Sequence, residues 1–233
     1  MSPLKIIFKM GAPLVIDSEA PLHLDALVAA MLCERYEREG HDDAWTASAN
    51  LGDFLEQAHY PSGWVWKASA VQFKPTHNVP LLFSQQNTIR RSDPDAFYDA
   101  HLRVDWTEER ALNPTTWKVD TASGQLRGYQ WLVRTRMVDE AVAWAVGDKK
   151  ALTDILSNLR QLGKVRRNGF GRVRSVTVEH ASTEEADNWM LRTLPEGAVG
   201  LPGVNYANVV ATLRAPYWRK TNRVVALEPI LVC

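Results

Sequence analysis

Basic and glycine residues are concentrated in one short segment, residues 160–174, which contains six basic side chains and no acidic one. Glycine lets backbone N–H groups approach phosphate oxygens because no Cβ stands in the way, and arginine offers paired N–H donors that match a phosphate. An aromatic ring beside them can stack on a base. This combination favours binding to a nucleic-acid backbone over binding to a nucleotide cofactor. The residues concerned are Gly163, Lys164, Arg166, Arg167, Asn168, Gly169, Phe170, Gly171, Arg172 and Arg174.

A simpler interpretation of this segment is a basic turn that follows the glycine at the end of a helix and needs no ligand. The dinucleotide-binding fingerprint is absent, because the segment follows a predicted helix and precedes a predicted strand, the reverse of the order that the fingerprint needs. Basic side chains recur elsewhere along the chain, which favours a nucleic-acid partner over a solvated turn. These are Arg134 and Arg136 in one predicted strand, and Arg90, Arg91, Arg103 and Arg110 in a polar stretch.

The charge balance narrows the class of protein. The 233 residues carry 27 Lys and Arg against 27 Asp and Glu, so the formal net charge is zero. Neutrality excludes a uniformly basic nucleic-acid coat. The sum includes an acidic stretch at 17–43, which holds eight acidic residues against Arg35 and Arg38, for which a solvated face is the usual explanation. A hydrophobic fraction of 45% is that of an ordinary globular protein, in which nine tryptophans either fill the core or offer stacking platforms for bases.

The two cysteines, Cys33 and Cys233, have no neighbouring residues at metal-ligand spacing. The sequence therefore predicts no zinc site, no disulfide framework and no cofactor. No signal-peptide core or membrane segment is evident, so we expect a cytoplasmic protein.

Hydrophobic spacing predicts the elements that must position the basic segment. Apolar residues at helical spacing indicate one helix over 22–39 and a second that begins at an Asp148 cap and ends at Leu162. Alternating or continuous apolar runs predict strands at 4–10, 64–73, 79–83, 129–138, 141–146 and 173–179. The core order is therefore strand, helix, strand, inserted material, strand, helix, strand, which is the β-α-β-β-α-β succession of a ferredoxin-like, RNA-recognition-type α+β fold.

Two segments lie outside this core pattern. Residues 84–128 are polar and interrupted by Pro94 and Pro114, which is typical of a long insertion between core strands. Beyond residue 180 the chain is irregular apart from an apolar strand near 208–213. The predicted organisation is a core over residues 1–180 that includes the insertion at 84–128, followed by a C-terminal extension over 181–233 packed on the core.

The basic segment resembles the glycine-rich loop of the RAMP proteins, the ferredoxin-like RNA-binding subunits of class 1 CRISPR effector complexes, in which it lies between the second helix and the fourth strand. Within that superfamily the sequence resembles the type IV subunit that caps the complex and holds the 5′ handle of the guide RNA. The insertion at 84–128 stands where family members carry a thumb-like hairpin. Three further motifs carry the resemblance: PLHLDAL at 21–27, LRTLP at 191–195 and APYW at 215–218.

The resemblance implies a noncatalytic RNA-binding subunit of a type IV CRISPR ribonucleoprotein that acts in defence against foreign DNA. Its implied partners are the guide RNA and the backbone and large subunits of the effector complex, with target DNA as a further candidate and no membrane. In the loop, Lys164, Arg166, Arg167 and Arg172 would pair with phosphates, Gly163, Asn168, Gly169 and Gly171 would approach the RNA closely, and Phe170 would pack on a base or sugar. Arg174, Arg134 and Arg136 are further contacts, Arg90, Arg91, Arg103 and Arg110 belong to the thumb, and Tyr217, Trp218 and Arg219 serve either the RNA or the core.

A metal-independent endoribonuclease that processes CRISPR repeat RNA is the alternative function. Some RAMP relatives use His, Tyr or Lys to move the 2′-hydroxyl proton, and His23 at the start of the first helix is the candidate catalytic residue. A helix-end or packing histidine is the favoured explanation of His23, because no paired base is evident, and His180 calls for the same caution. In the processing nucleases the glycine-rich loop lies close to the C-terminus, whereas here a long extension follows Gly171. We therefore expect no catalytic residue and no metal ion.

Overall fold

The computed structural model describes residues 1–15, 21–76, 81–87 and 129–230. Most of the predicted insertion at 84–128 lies outside these residues, as do Arg90, Arg91, Arg103 and Arg110, so the thumb stays a prediction. The chain divides into two compact units, one formed by Met1–Pro80 with Thr135–Cys233 and the other by Leu81–Arg134.

The described residues form a mixed α/β structure with antiparallel sheets. The α-helices are α1 (Leu24–Glu39), α2 (Ala44–Ala47) and α3 (Lys149–Leu156). The strands are β1 (Ser2–Met10), β2 (Gln57–Tyr60), β3 (Gly63–Trp66), β4 (Gln72–Pro75), β5 (Leu81–Asn87), β6 (Tyr129–Thr135), β7 (Val138–Gly147), β8 (Val173–His180), β9 (Leu194–Pro195), β10 (Tyr206–Thr212) and β11 (Arg223–Pro229). In the smaller unit, β5 pairs with β6.

A four-stranded sheet in the order β4-β7-β1-β8 forms the centre of the larger unit. Alternate residues of β1 point to one face of this sheet, where Leu4, Ile6 and Phe8 are fully buried. The apolar sides of α1 and α3, including Val28 and Leu152, belong to the same core. Both helices therefore cover one face of the sheet, and the chain passes through β1, α1, β4, β7, α3 and β8 in turn.

The second long helix begins as predicted and ends earlier than predicted. The Asp148 carboxylate accepts a hydrogen bond of 2.7 Å from the backbone N–H of Ala151, which confirms the predicted cap. The prediction of helix up to Leu162 is wrong, because the helix ends at Leu156. Residues 160–162 instead pair with 171–173, and the N–H of Leu162 donates to Gly171 O at 2.8 Å. Leu162 remains fully buried, so its apolar character was required by the core rather than by a helix.

The predicted strand over 64–73 is two strands, β3 and β4, separated by residues that follow the edge of β7. Ala68 forms a bridge with Ala145, and the N–H of Ser69 donates to Trp144 O at 2.8 Å. The Ser69 hydroxyl accepts a hydrogen bond in return from the N–H of Trp144 at 2.9 Å. The continuous apolar run at 64–73 therefore reflected burial of these residues, and it did not reveal the interruption between β3 and β4.

The C-terminal extension contains a three-stranded antiparallel sheet, β10-β11-β9, and the prediction of a largely irregular extension is wrong. Its inner residues, such as Leu194 and Ala226, are fully buried in a second apolar cluster together with Val65 of β3. The alternation of apolar and polar residues that indicates a strand is interrupted in β11, because the neighbouring residues Val224 and Val225 are both apolar and both exposed, by 43% and 49%. No helix within the described residues is long and apolar enough to cross a membrane.

Candidate nucleic-acid interface

Residues 163–172, hereafter the basic loop, join α3 and its following turn to β8 and are fixed at both ends. The N–H of Lys164 donates to Val15 O at 2.7 Å, and the N–H of Gly171 donates to Pro13 O at 2.7 Å. The extended segment 13–15 therefore fastens both ends of the basic loop. A loop held in this way presents its tip without much loss of backbone entropy when a ligand binds.

The tip of the basic loop is a short 3-10 turn at Arg166–Asn168 between two residues in the left-handed region. Val165 has φ 57° and Gly169 has φ 88°. A β-branched residue rarely adopts a positive φ, and such strain of about 1–3 kcal/mol clusters at functional sites. The Gln161 side chain steadies the turn by donating to Arg166 O at 2.8 Å. The turn leaves Arg166 and its neighbours on the surface.

The arginines of this region are exposed. Elsewhere, Lys5 pairs with Glu185 and Arg35 with Asp154. By contrast, none of the loop-region arginines forms an ion pair with any residue that the structure describes. They are Arg160, Arg166, Arg167, Arg172 and Arg174, and Lys164 and Asn168 are exposed beside them. Unneutralised positive charge in one place attracts an anion.

Two of the glycines in the basic loop are required by the protein's own packing. A Cβ on Gly171 would lie 1.8 Å from Leu162 O, and one on Gly163 would lie 2.4 Å from Val15 O. Both also have a positive φ, at 68° and 79°. At Gly169 a Cβ would meet nothing within 4 Å. Close approach to a ligand was the predicted reason for these glycines, and at two of them internal packing is a sufficient one.

The remaining predicted contacts differ in how they are placed. Phe170, predicted to pack on a base or sugar, is only 8% exposed, so its ring is directed into the protein. Arg136 is half-buried and forms a β-bridge with Leu14, next to the segment that fastens the basic loop. Arg134 is exposed and belongs to the smaller unit.

A cluster of buried polar side chains is centred on Arg192. The Arg192 guanidinium is fully buried with Asp25, and the closest nitrogen and oxygen are 3.7 Å apart. Arg192 donates to the Tyr217 hydroxyl at 2.9 Å, and that hydroxyl donates to the Asp25 carboxylate at 2.8 Å. Arg192 also donates to Trp66 O and Leu213 O, each at 2.6 Å. Tyr217 therefore serves the core, whereas Trp218 and Arg219 are exposed.

His23 belongs to this buried cluster and is only 3% exposed. Its ring stacks on Tyr217 at 4.7 Å, and its Nε2 lies 3.2 Å from Thr193 Oγ1. Burial, with Arg192 nearby, lowers the pKa of His23 well below its ordinary value, and burial raises the pKa of Tyr217 well above its own. An imidazole that is neutral at neutral pH can accept a proton but is a poor proton donor to a leaving group. His180 is exposed at the end of β8.

The three short motifs of the sequence converge in this cluster. His23 and Asp25 come from PLHLDAL, Arg192 and Thr193 from LRTLP, and Tyr217 from APYW. Sequence reasoning did not single out Arg192, although an arginine within an apolar segment was a signal for a buried ion pair.

A family model described as CRISPR type IV associated protein Csf3 matches residues 2–229, nearly the whole chain. The chain belongs to the Csf3 family. A crystal structure of a CRISPR protein from Archaeoglobus fulgidus aligns with 100% of this chain and 87% of that one, at a TM-score of 0.38 and 12% identity. No curated protein matches the chain. Membership of the Csf3 family rests on the sequence match and confirms the resemblance to a type IV CRISPR protein.

Within the described part of this Csf3 family member, no group of three His, Cys, Asp or Glu side chains is placed to hold a metal ion. The groups arranged for binding are cationic and lie on and around the basic loop. They suit an anionic ligand with repeated charges, such as a phosphodiester backbone.

Substitution of Gly171 by alanine is expected to destabilise this Csf3 family member by more than about 2 kcal/mol, because the added Cβ clashes with a backbone oxygen at a positive φ. Gly169→Ala is the matched control. Its Cβ enters open space, so it should cost only about 1 kcal/mol for the left-handed backbone. Urea unfolding of both variants measures the difference, and equal losses would contradict the packing of Gly171 described above.

Proposed function

We propose that the chain is a noncatalytic RNA-binding subunit of a type IV CRISPR effector ribonucleoprotein that holds the 5′ handle of the guide RNA and caps the backbone filament. The observation that carries the proposal is the basic loop, whose exposed arginines pair with no described carboxylate and stand on a backbone fixed at both ends. Membership of a family associated with type IV CRISPR supports the proposal that the chain acts within a type IV complex. The backbone and large subunits of that complex are the proposed protein partners.

The topology of the larger unit supports a RAMP-type, ferredoxin-like core. Its chain order is β1, α1, β4, β7, α3, β8, and its sheet order is β4-β7-β1-β8, with both helices on one face. The first and last strands of the succession are therefore neighbours in the sheet, as two interleaved β-α-β units require. In this arrangement the basic loop connects the second helix to the fourth strand of the core.

The charge distribution supports a local grip on one strand of RNA. The basic loop is exposed and positive, whereas α1 carries the exposed carboxylates of Glu34, Glu37 and Glu39. Phosphates are attracted to the first surface and repelled by the second. A chain of zero net charge therefore holds RNA at one place without binding nucleic acid along its whole surface.

The buried position of His23 supports a noncatalytic role over the alternative of an endoribonuclease. His23 does line a cavity of about 280 Å³ together with Thr193, Tyr217 and Glu228, which is the observation that favours the alternative. However, His23 is only 3% exposed, its ring stacks on Tyr217, and its Nε2 lies 3.2 Å from Thr193 Oγ1. Burial counts against cleavage there, although the pKa of Glu228, which burial raises, would suit a general acid.

One experiment tests the proposed function against the alternative. The purified full-length chain is incubated in EDTA with end-labelled guide RNA that carries its 5′ handle, or with the same RNA without the handle, and each sample is run on native and denaturing gels. We expect tighter binding of the handle-containing RNA and no cleavage. Cleavage that disappears in His23→Ala would establish the nuclease, and absence of binding to either RNA would refute the proposal.

A further inference from the structure

Beside the basic loop, a cavity of about 420 Å³ opens between α1, α2 and residues 215–218. Its floor is flat because it consists of small side chains of α1, namely Ala26, Ala29 and Ala30. Trp45 and Trp218 stand at its sides. The volume falls within the range of about 300–1,000 Å³ that is typical of sites for small molecules.

The two tryptophans of this cavity differ from the other tryptophans whose side chains the structure describes, which are buried or half-buried. Trp45 is 64% exposed and Trp218 is 69% exposed. Their rings lie edge to face, with centroids 6.5 Å apart and planes at 88°. Two adjacent indole rings left in water are unfavourable, and each offers a face on which a planar ring can stack. The cavity therefore suits a flat aromatic ligand.

The charged residues that line the cavity would orient such a ligand. Arg166 of the basic loop lines the cavity, and so do Glu34 and Glu37 of α1. Glu37 accepts a contact of 3.8 Å from the Cys33 thiol, whereas Glu34 forms no ion pair with any described residue. The ligand's anionic end belongs at Arg166, since carboxylates repel phosphate. Its other end must donate hydrogen bonds, since ionised carboxylates only accept them.

We propose that this cavity binds one base of the RNA that the basic loop holds, with a preference for guanine. This inference rests on the proposed function. Guanine presents two neighbouring donors, N1–H and N2–H, which match the two oxygens of one carboxylate, here that of Glu34. Uracil places its single N–H between two carbonyl oxygens, and adenine and cytosine each pair a donor with an acceptor, so a carboxylate repels part of their edge. The phosphate of the same nucleotide lies at Arg166, and the base stacks on Trp218.

The test uses the full-length chain and fluorescence anisotropy with labelled eight-nucleotide RNAs: an all-uridine strand, and strands in which one guanosine replaces a uridine at each position in turn. We expect guanosine at one or more positions to tighten binding about tenfold or more, in keeping with the discrimination of about 1–3 kcal/mol that a bidentate base contact gives. Trp218→Ala should abolish that preference, and Trp218→Phe should retain most of it. Glu34→Gln should abolish the preference without weakening binding of the all-uridine strand. Val199→Ala, an exposed apolar residue outside the cavity, is the control.

The possible results separate this inference from the proposed function. If the wild-type chain binds none of the RNAs, both fail. If it binds all of them equally and with salt dependence, or if Trp218→Ala keeps the guanosine preference, the base pocket is refuted while the proposed function stands. If Trp218→Ala leaves RNA binding unchanged but releases another subunit of the complex, the cavity binds protein, and the inference is likewise refuted.

Discussion

The double substitution Arg166→Ala/Arg167→Ala is expected to weaken binding of handle-containing guide RNA by about 10- to 100-fold at low salt, since each lost charged contact contributes on the order of 1 kcal/mol and 1.4 kcal/mol is tenfold. Both side chains are exposed at the tip of the basic loop and pair with no described carboxylate. Binding should also become less sensitive to salt. The slope of log K against log salt should shrink by about 0.7 for each phosphate contact with single-stranded RNA.

The matched control is Lys149→Ala/Lys150→Ala, which removes the same charge from the exposed first turn of α3. Titrations at several salt concentrations compare the two variants with the wild-type chain, and thermal unfolding shows that each is folded. Suppose that the control variant loses as much RNA affinity as the loop variant, and that its slope of log K against log salt shrinks as much. RNA binding would then depend on the overall charge of the chain. The basic loop would then have no special role.

Replacement of Arg192 by methionine is expected to lower the free energy of unfolding by about 3–5 kcal/mol, because it leaves the Asp25 carboxylate buried without its cation. Both groups are fully buried, and Arg192 also bonds to Trp66 O, Leu213 O and the Tyr217 hydroxyl. These bonds join β3, the segment before β9 and the C-terminal region. The expected fall in Tm for a chain of this size is roughly 10 °C.

The loss of unfolding free energy in Arg192→Met, hereafter the deficit, should become larger as the pH rises. Burial already raises the pKa of Asp25 above its ordinary value of 3.8, and removal of the guanidinium raises it further. A carboxyl whose pKa is higher in the folded state destabilises the fold when it ionises, so the deficit grows as the pH rises above 3.8 and levels off above the folded-state pKa. Arg192 also lowers the pKa of His23, so its removal eases protonation of the buried imidazole and makes the deficit at low pH smaller still.

Urea unfolding at pH 4.5 and pH 7.5 measures this dependence for wild type and Arg192→Met. Asp25→Asn added to Arg192→Met is the control, because an amide cannot ionise. We expect the double variant to recover part of the stability at pH 7.5 and to lose the part of the pH dependence that Asp25 supplies, leaving the part due to His23. A deficit that is equal at both pH values, with no recovery, would show that Asp25 is not the group left uncompensated.

Local chemistry in the sequence was sufficient to locate the basic loop, since charge and glycine content are visible without any knowledge of packing. The same holds for α1, for the Asp148 cap and for β1, β7 and β8, whereas β4 was predicted only as the end of a single strand over 64–73. The purpose of Gly163 and Gly171 was not visible, because it depends on oxygens of Val15 and Leu162 that only the folded chain brings near.

Features that depend on long-range contacts could not be predicted. The end of α3 is set by pairing between 160–162 and 171–173, which no helical periodicity records. The C-terminal sheet depends on partners distant in sequence, such as Ala226 with Pro195. The cluster around Arg192 joins residues that are up to 192 positions apart. The motifs at 21–27, 191–195 and 215–218 were recognisable as sequences, but their shared role in one buried cluster was not.

The zero net charge of the chain acquires a structural meaning from the placement of its charges. Acidic side chains such as Glu34 and Glu37 lie on the exposed side of α1, and the arginines lie on the basic loop next to it. Residues of both signs therefore line the same cavity, although the net charge of the chain is zero.

The most direct test of the central claim, that the basic loop holds the guide RNA, is photo-crosslinking in the assembled type IV complex. Guide RNA is prepared with 4-thiouridine at successive positions of the 5′ handle, irradiated in the complex and digested for mass spectrometry. The account predicts cross-links from handle nucleotides to peptides that contain residues 163–174. Handle cross-links found only on other subunits, or only on parts of this chain away from the basic loop, would contradict it.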